Sequence, residues 1–155
     1  MPKQSAGILL YKMVDNNPLV FLVHPGGPLW KNKDTGAWSV PKGEFVAGED
    51  TLDAAKREFE EETGKPIHGV FTPLEPVKQR SGKMVYAWAV EGDIDSNTIV
   101  SNTFDFEWPP RSGRTITIPE VDRGEWFDPA TAKEKINPGQ VPLIDNLLQI
   151  LAGKN

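Results

Sequence analysis

GEFVAGEDTLDAAKREFEEETGK, Gly43 to Lys65, is the stretch on which the fold of this chain turns. From Asp50 to Thr63 the residues Leu52, Ala55 and Phe59 fall on one helical face, Asp50 stands where an N-cap belongs, and Gly64 stands where a helix stops. The helix ends in Arg57-Glu58-Phe59-Glu60-Glu61-Glu62. Helical rotation places Glu58, Glu61 and Glu62 within roughly 100° of one another, beside the apolar sector, while Glu60 and Lys56 point elsewhere. At about 5–6 Å and an effective dielectric of about 20, each pair of these charges repels by roughly 3 kcal/mol. Solvent lowers that cost, and a divalent cation would convert it into a binding site. Gly43 precedes Glu49 by six positions and Glu49 precedes Arg57 by eight. A glycine can bring a bare carbonyl or a sharp turn beside a cation, and an Arg57–Glu49 pair can brace a loop against the helix. The pattern therefore predicts a loop–helix cation site rather than a merely solvated acidic face.

Outward from this segment, Gln4 to Val14 and Pro18 to His24 are apolar, β-branched runs around Asp15-Asn16-Asn17, and predict two strands joined by a turn. A long loop follows through His24-Pro-Gly-Gly-Pro-Leu-Trp30 to Gly36. Val70 to Lys78 and Met84 to Glu91 predict strands around Ser81-Gly82-Lys83, the first an edge or bulged strand because of Pro73 and Pro76. Asp93 to Gly113 reads as an irregular, turn-rich excursion, Arg114 to Ile118 and Glu125 to Phe127 as short extended pieces, and Val141 to Leu151 as a second helix. With no internal repeat and no long linker, residues 1–155 are expected to form one α/β (α+β) domain.

The composition narrows the chemistry. The 155 residues contain no cysteine, which excludes a disulfide scaffold, a thiolate zinc site, an iron–sulfur cluster and a cysteine nucleophile. His24 and His68 are the only histidines, too few for a multi-histidine metal site, and both are expected to be structural or exposed. Any metal must be held by oxygen, which points to Mg²⁺ or Mn²⁺. Seventeen Lys+Arg against 22 Asp+Glu give a net charge of −5, which argues against broad attraction to nucleic acid or to an anionic membrane. The apolar run from Ala6 to Leu10 is far short of a membrane span or a signal-peptide core, so a cytoplasmic protein is expected.

Gly43–Lys65 resembles the Nudix box, GX5EX7REUXEEXGU, where U is a bulky apolar residue. Every fixed letter matches, Phe59 fills the first U, and only Lys65 departs at the last U, where no metal ligand is lost. Trp38-Ser39-Val40-Pro41-Lys42 resembles the strand that approaches the box, and Glu120-Val-Asp-Arg-Gly-Glu-Trp126 resembles a late segment carrying a further carboxylate. The resemblance implies a Nudix-type α/β/α sandwich with a mixed β-sheet between helices. It also implies Mg²⁺-dependent hydrolysis of a nucleoside diphosphate linked to another group, and the AGILLYK strand, the approach and the late segment look most like the diadenosine tetraphosphate hydrolase branch and related small bacterial pyrophosphohydrolases. Dinucleoside polyphosphates are accordingly the first-choice substrates. Nucleoside diphosphate sugars, noncanonical nucleoside triphosphates and a capped RNA end are alternatives, RNA the least favoured because the chain is acidic. A noncatalytic nucleotide sensor or protein-binding module is a reading of a different class, which the complete set of box carboxylates disfavours.

By the same resemblance, Glu58, Glu61, Glu62, the carbonyl of Gly43 and Glu120 are the expected metal ligands. Glu58 and Glu120 share the general-base assignment, and Arg57 and Glu49 brace them. Glu107 and Glu125 are weaker candidates for the late carboxylate. Lys42, Arg111 and Arg114 are candidates for phosphate contacts, and Trp108, Phe104, Phe106 or Trp30 for stacking on a base. Trp88 is expected in the core.

Overall fold

The computed structural model describes residues 3–153; the first two and last two residues of the expected 1–155 span lie outside it. The chain runs β1 (Gln4–Val14), β2 (Asn17–Pro25), β3 (Lys42–Glu44), α1 (Thr51–Thr63), β4 (Thr72–Pro73), β5 (Val77–Lys78), β6 (Met84–Glu91), β7 (Thr103–Glu107), β8 (Thr115–Pro119), β9 (Val121–Phe127), α2 (Pro129–Lys135) and α3 (Val141–Ala152). Seven strands form a mixed sheet ordered β4-β6-β1-β2-β9, with β3 also paired to β1 and β5 to β6. The β1–β6 pair is parallel and the other pairs are antiparallel. β7 and β8 form a separate two-stranded ribbon.

β1 is buried from Ser5 to Tyr11 because both faces of the sheet are covered, which is why its sequence reads as a continuous apolar run. Ile8 and Leu10 join Phe21, Ala54, Ala55 and Phe59 under α1. Leu9 and Tyr11 join Leu22, Trp38, Ala132, Ile136, Leu143, Ile144 and Leu147 under α2 and α3. The strand's period of two thus divides the core into two layers and yields the expected α/β/α sandwich. Phe59 is fully buried with its ring 6.3 Å from that of Phe21. Burying a side chain of that size contributes roughly 1.5–3 kcal/mol and fixes the rotation of α1, hence where its glutamates point. Trp88 is partly buried against the same layer.

The ends of α1 follow local chemistry: Asp50 accepts from the Asp53 N–H at 3.0 Å, and Gly64 is left-handed at φ 74° with its N–H donating to the Glu60 carbonyl. Four expectations need correction. The 93–113 segment is not irregular throughout: it contains a 3-10 turn, Ser96–Thr98, and all of β7, whose partner β8 lies beyond the Pro109-Pro110 turn. The predicted Val70–Lys78 strand is reduced to β4 and β5, since Pro73 and Pro76 remove ladder donors. β9 begins at Val121, earlier than the Glu125–Phe127 piece suggested, because β2 supplies a full partner. A third helix, α2, is present, capped by Asp128 accepting from the Thr131 N–H and begun by Pro129. Among the described residues no helix is long and apolar enough to cross a membrane.

Candidate active site

β3 is short because its task is positional. It pairs with β1 at Ser5, Ala6 and Gly7. A side chain at Gly7 would stand 2.8 Å from the Pro41 carbonyl and from Lys42 Cβ, so the bare backbone there lets the 41–43 segment close onto the sheet. That places Gly43 against the buried face of α1. A methyl group on Gly43 would collide with the carboxylate of Glu58.

Glu58 and Glu62 are 7% and 8% exposed, unusually low for carboxylates. Together with Glu120 they offer oxygens that all lie within 4.8 Å of one another. Glu120 arrives from the junction of β8 and β9, and a backbone relay explains how. The Asn102 N–H donates to the Glu61 carbonyl at 2.7 Å, and the Glu120 N–H donates to the Asn102 carbonyl at 2.9 Å, tying the excursion to the C-terminal turn of α1. The Glu120 carbonyl in turn accepts from Gly26 at 3.1 Å, where any side chain would strike the Pro119 carbonyl. Neither Asn102 nor Gly26 was singled out from sequence as a support for the late carboxylate; the Pro-Gly-Gly run after β2 was the available signal for Gly26.

Arg57 grips the adjoining side of the cluster. Its Nε and Nη2 donate to Glu49 Oε2 at 3.2 and 3.0 Å, and its Nη1 donates to Glu58 at 2.9 Å and Glu61 at 3.3 Å. The expected Arg57–Glu49 brace is therefore formed, with Glu58 held by the same guanidinium. Glu61 is placed on this outer side and is not part of the three-carboxylate cluster.

The electrostatics follow from burial. Glu58 is pushed up to about 7 by loss of water and by the Glu61 charge, against the pull of Arg57. Burial pushes Glu62 well above the usual carboxylate range despite Lys42, and burial with the Glu61 charge raises Glu120. Burial and the neighbouring Lys83 charge push the Lys42 ammonium below its usual range. Hard oxygen donors crowded to the point of resisting ionisation fit a hard divalent cation.

Glu62, Glu120 and Lys42 line a cavity of about 210 Å³ with Trp30, Trp38, Ser39, Gln79, Asn137 and Gln140 among its other walls. Of the residues considered for substrate contact, Lys42 and Trp30 are on this wall; Phe104, Trp108 and Arg111 are not, and Arg114 and Phe106 lie with them on the β7–β8 ribbon and its turn. Glu107 caps that turn by accepting from the Arg111 and Gly113 N–H groups, and Glu125 is exposed on β9. His24 is fully buried, its Nδ1 3.0 Å from Asp122 and its Nε2 2.6 Å from the Lys33 carbonyl, a structural role; His68 is exposed. The amides Gln79, Asn137 and Gln140 had drawn no notice in the sequence.

Comparison with known proteins agrees with this architecture. Ap4A hydrolase of C. elegans, in a binary complex, is 21% identical, with 97% of this chain and 98% of that chain covered and a TM-score of 0.65. The NUDIX domain of Shewanella oneidensis NrtR, complexed with ADP ribose, is 14% identical, with 97% and 89% covered and a TM-score of 0.66. At these identities the likeness is one of fold. Two curated relatives match over shorter stretches: an octanoyltransferase of Myxococcus xanthus, 33% identical over 101 residues, and an RNA pyrophosphohydrolase of Rhodopseudomonas palustris (strain HaA2), 41% identical over 51 residues. The matches cover 65% and 33% of this chain, and only 25% and 30% of those proteins' lengths. The family described as NUDIX domain matches residues 1–147. With the box helix, its brace and the mixed sheet already in place, that match over nearly the whole chain establishes that the protein belongs to the NUDIX domain family.

Proposed function

We propose that this chain is a Mg²⁺-dependent pyrophosphohydrolase cleaving a nucleoside diphosphate linked to a further group, with dinucleoside polyphosphates as first-choice substrates and Mn²⁺ as an alternative cation. The observation that carries this reading is the convergence of Glu58, Glu62 and Glu120 within 4.8 Å beside a cavity that Lys42 also lines. These three carboxylates and the Gly43 carbonyl are the proposed holders of the cation, with Glu61 in reserve on the outer side. A cation bound there supplies Lewis acidity and offsets the charge of the substrate phosphates. Glu58 and Glu120 share the assignment of accepting a proton from the attacking water. Arg57 and Glu49 keep Glu58 oriented, and Lys42 meets a phosphate oxygen. Phe104, Trp108 and Arg111, off the cavity wall, would serve the far arm of a two-headed substrate. The expected setting is the cytoplasm.

The test is a panel of dinucleoside polyphosphates, nucleoside diphosphate sugars, nucleoside triphosphates and 5′-triphosphorylated RNA, with products identified in Mg²⁺, in Mn²⁺ and in excess chelator. Metal-dependent cleavage of a phosphoric anhydride bond is the expected result. Nucleotide binding without cleavage of any substrate in either metal would overturn the enzyme reading in favour of a noncatalytic nucleotide sensor.

A further inference from the structure

The cavity beside the carboxylates has an amide wall whose polarity is dictated by the backbone. The Val40 N–H lies 3.1 Å from Gln140 Oε1. A backbone N–H only donates, so the Gln140 oxygen faces it and Nε2 faces away. That nitrogen donates to Ser39 Oγ at 3.0 Å and to Gln79 Oε1 at 2.8 Å. Gln140 is 1% exposed and has both ends of its amide engaged. Gln79 must therefore turn its oxygen to Gln140, which leaves its Nε2 as the free end. Asn137 is fixed in the same sense, because its Oδ1 accepts from the Gly139 N–H at 2.9 Å and leaves Nδ2 free. Among the described residues neither nitrogen has an acceptor. The two amides are neighbours: a Cβ on Gly139 would stand 3.2 Å from Gln79 Cγ and 3.3 Å from Asn137 Oδ1.

Gln79 and Asn137, each with a free NH₂ group, are thus among the residues lining a cavity whose wall also includes Trp30, itself 38% exposed. Such a wall fits a planar ligand with two adjacent acceptors. Guanine presents N7 and O6 as acceptors along one edge, whereas adenine presents the N7 acceptor beside the N6 donor, which would meet one of the amides donor to donor. We infer that this cavity is a base subsite selecting guanine-type, 6-oxo purine nucleotides over adenine nucleotides, with Gln79 Nε2 and Asn137 Nδ2 reading the acceptor edge and Trp30 stacking on the ring. The assignment rests on the proposed nucleotide substrate and specifies its base.

Binding separates this assignment from catalysis. In Mg²⁺, calorimetric titration should give GDP at least about tenfold tighter binding than ADP, the discrimination of one well-made pair of base contacts. Gln79→Glu and Asn137→Asp keep the oxygens that accept from Gln140 and Gly139 but replace each free donor with an acceptor. The added negative charge weakens both nucleotides alike, so the ratio is the readout, and each variant should lower the GDP:ADP preference at least about fivefold with an unchanged melting temperature. GDP and ADP binding within twofold of each other in the unmodified protein, absence of binding for both, or a preference retained in both variants would overturn the base assignment. GDP preference without cleavage of any substrate would sink the enzyme reading alone, and cleavage without base preference would sink this one alone.

Discussion

Raising the pH of the metal-free protein should weaken its fold, and the size of the effect comes from one side chain. Glu58 titrates at about 7 in the folded chain against an ordinary 4.5, chiefly because it is buried. Below 4.5 both folded and unfolded chains carry the proton and nothing is lost. Between 4.5 and 7 the unfolded chain has released the proton that the folded chain still holds, so stability falls as pH rises; above 7 both are ionised and the loss is complete. At about 1.4 kcal/mol per pH unit the loss is about 3.5 kcal/mol. For a domain of this size that corresponds to roughly 7–14 °C in melting temperature. Glu62 is raised in the same direction and adds to it. The assay is thermal unfolding in chelator from pH 5 to pH 8 for the unmodified protein and Glu58→Gln, the variant serving to subtract every other titrating group. The expected result is a steeper fall in the unmodified protein, and a Mg²⁺ stabilisation larger at pH 8 than at pH 5, because ionised carboxylates bind the cation and protonated ones do not. Parallel melting profiles for the two proteins would refute the reasoning, since they would mean that the Glu58 carboxylate is not held protonated by burial.

Three further outcomes follow from the site. Gly43→Ala forces its methyl against the Glu58 carboxylate and should lower Mg²⁺ affinity at least about tenfold in a metal titration of activity, with helical circular dichroism unchanged. Arg57→Lys keeps the charge but loses the fork that spans Glu49 and Glu58, and should lower kcat/KM about tenfold in steady-state kinetics; normal turnover would contradict the brace. Glu120→Gln should lower kcat on the order of 10²-fold, while Glu107→Gln and Glu125→Gln, which lie outside the carboxylate cluster, should stay within a factor of about two under the same Mg²⁺ conditions.

What the sequence by itself determined is what short-range physics writes into it. The boundaries of β1 and α1, the Asp50 cap, the Gly64 stop and the Arg57–Glu49 brace all depend on residues within about two helical turns or along one strand, so periodicity and spacing carry them. The same local logic placed three glutamates on one side of α1, but could not decide which of them would converge. Tertiary structure made that choice: Glu58 and Glu62 meet Glu120, while Glu61 turns outward to Arg57. Glu120 is brought to the cluster by Asn102, which links the Glu61 carbonyl to the Glu120 N–H, and by Gly26, whose missing side chain admits Pro119. β7 was hidden because its partner lies across a turn, and its alternating Phe104 and Phe106 acquire meaning only from that pairing. The amide wall is the extreme case, since Gln140 takes its orientation from Val40 and passes it to Gln79, positions 100 and 61 residues away along the chain. Hydrogen bonds over such separations leave no periodic trace in the chain, because their partners are brought together only when both faces of the sheet have been covered.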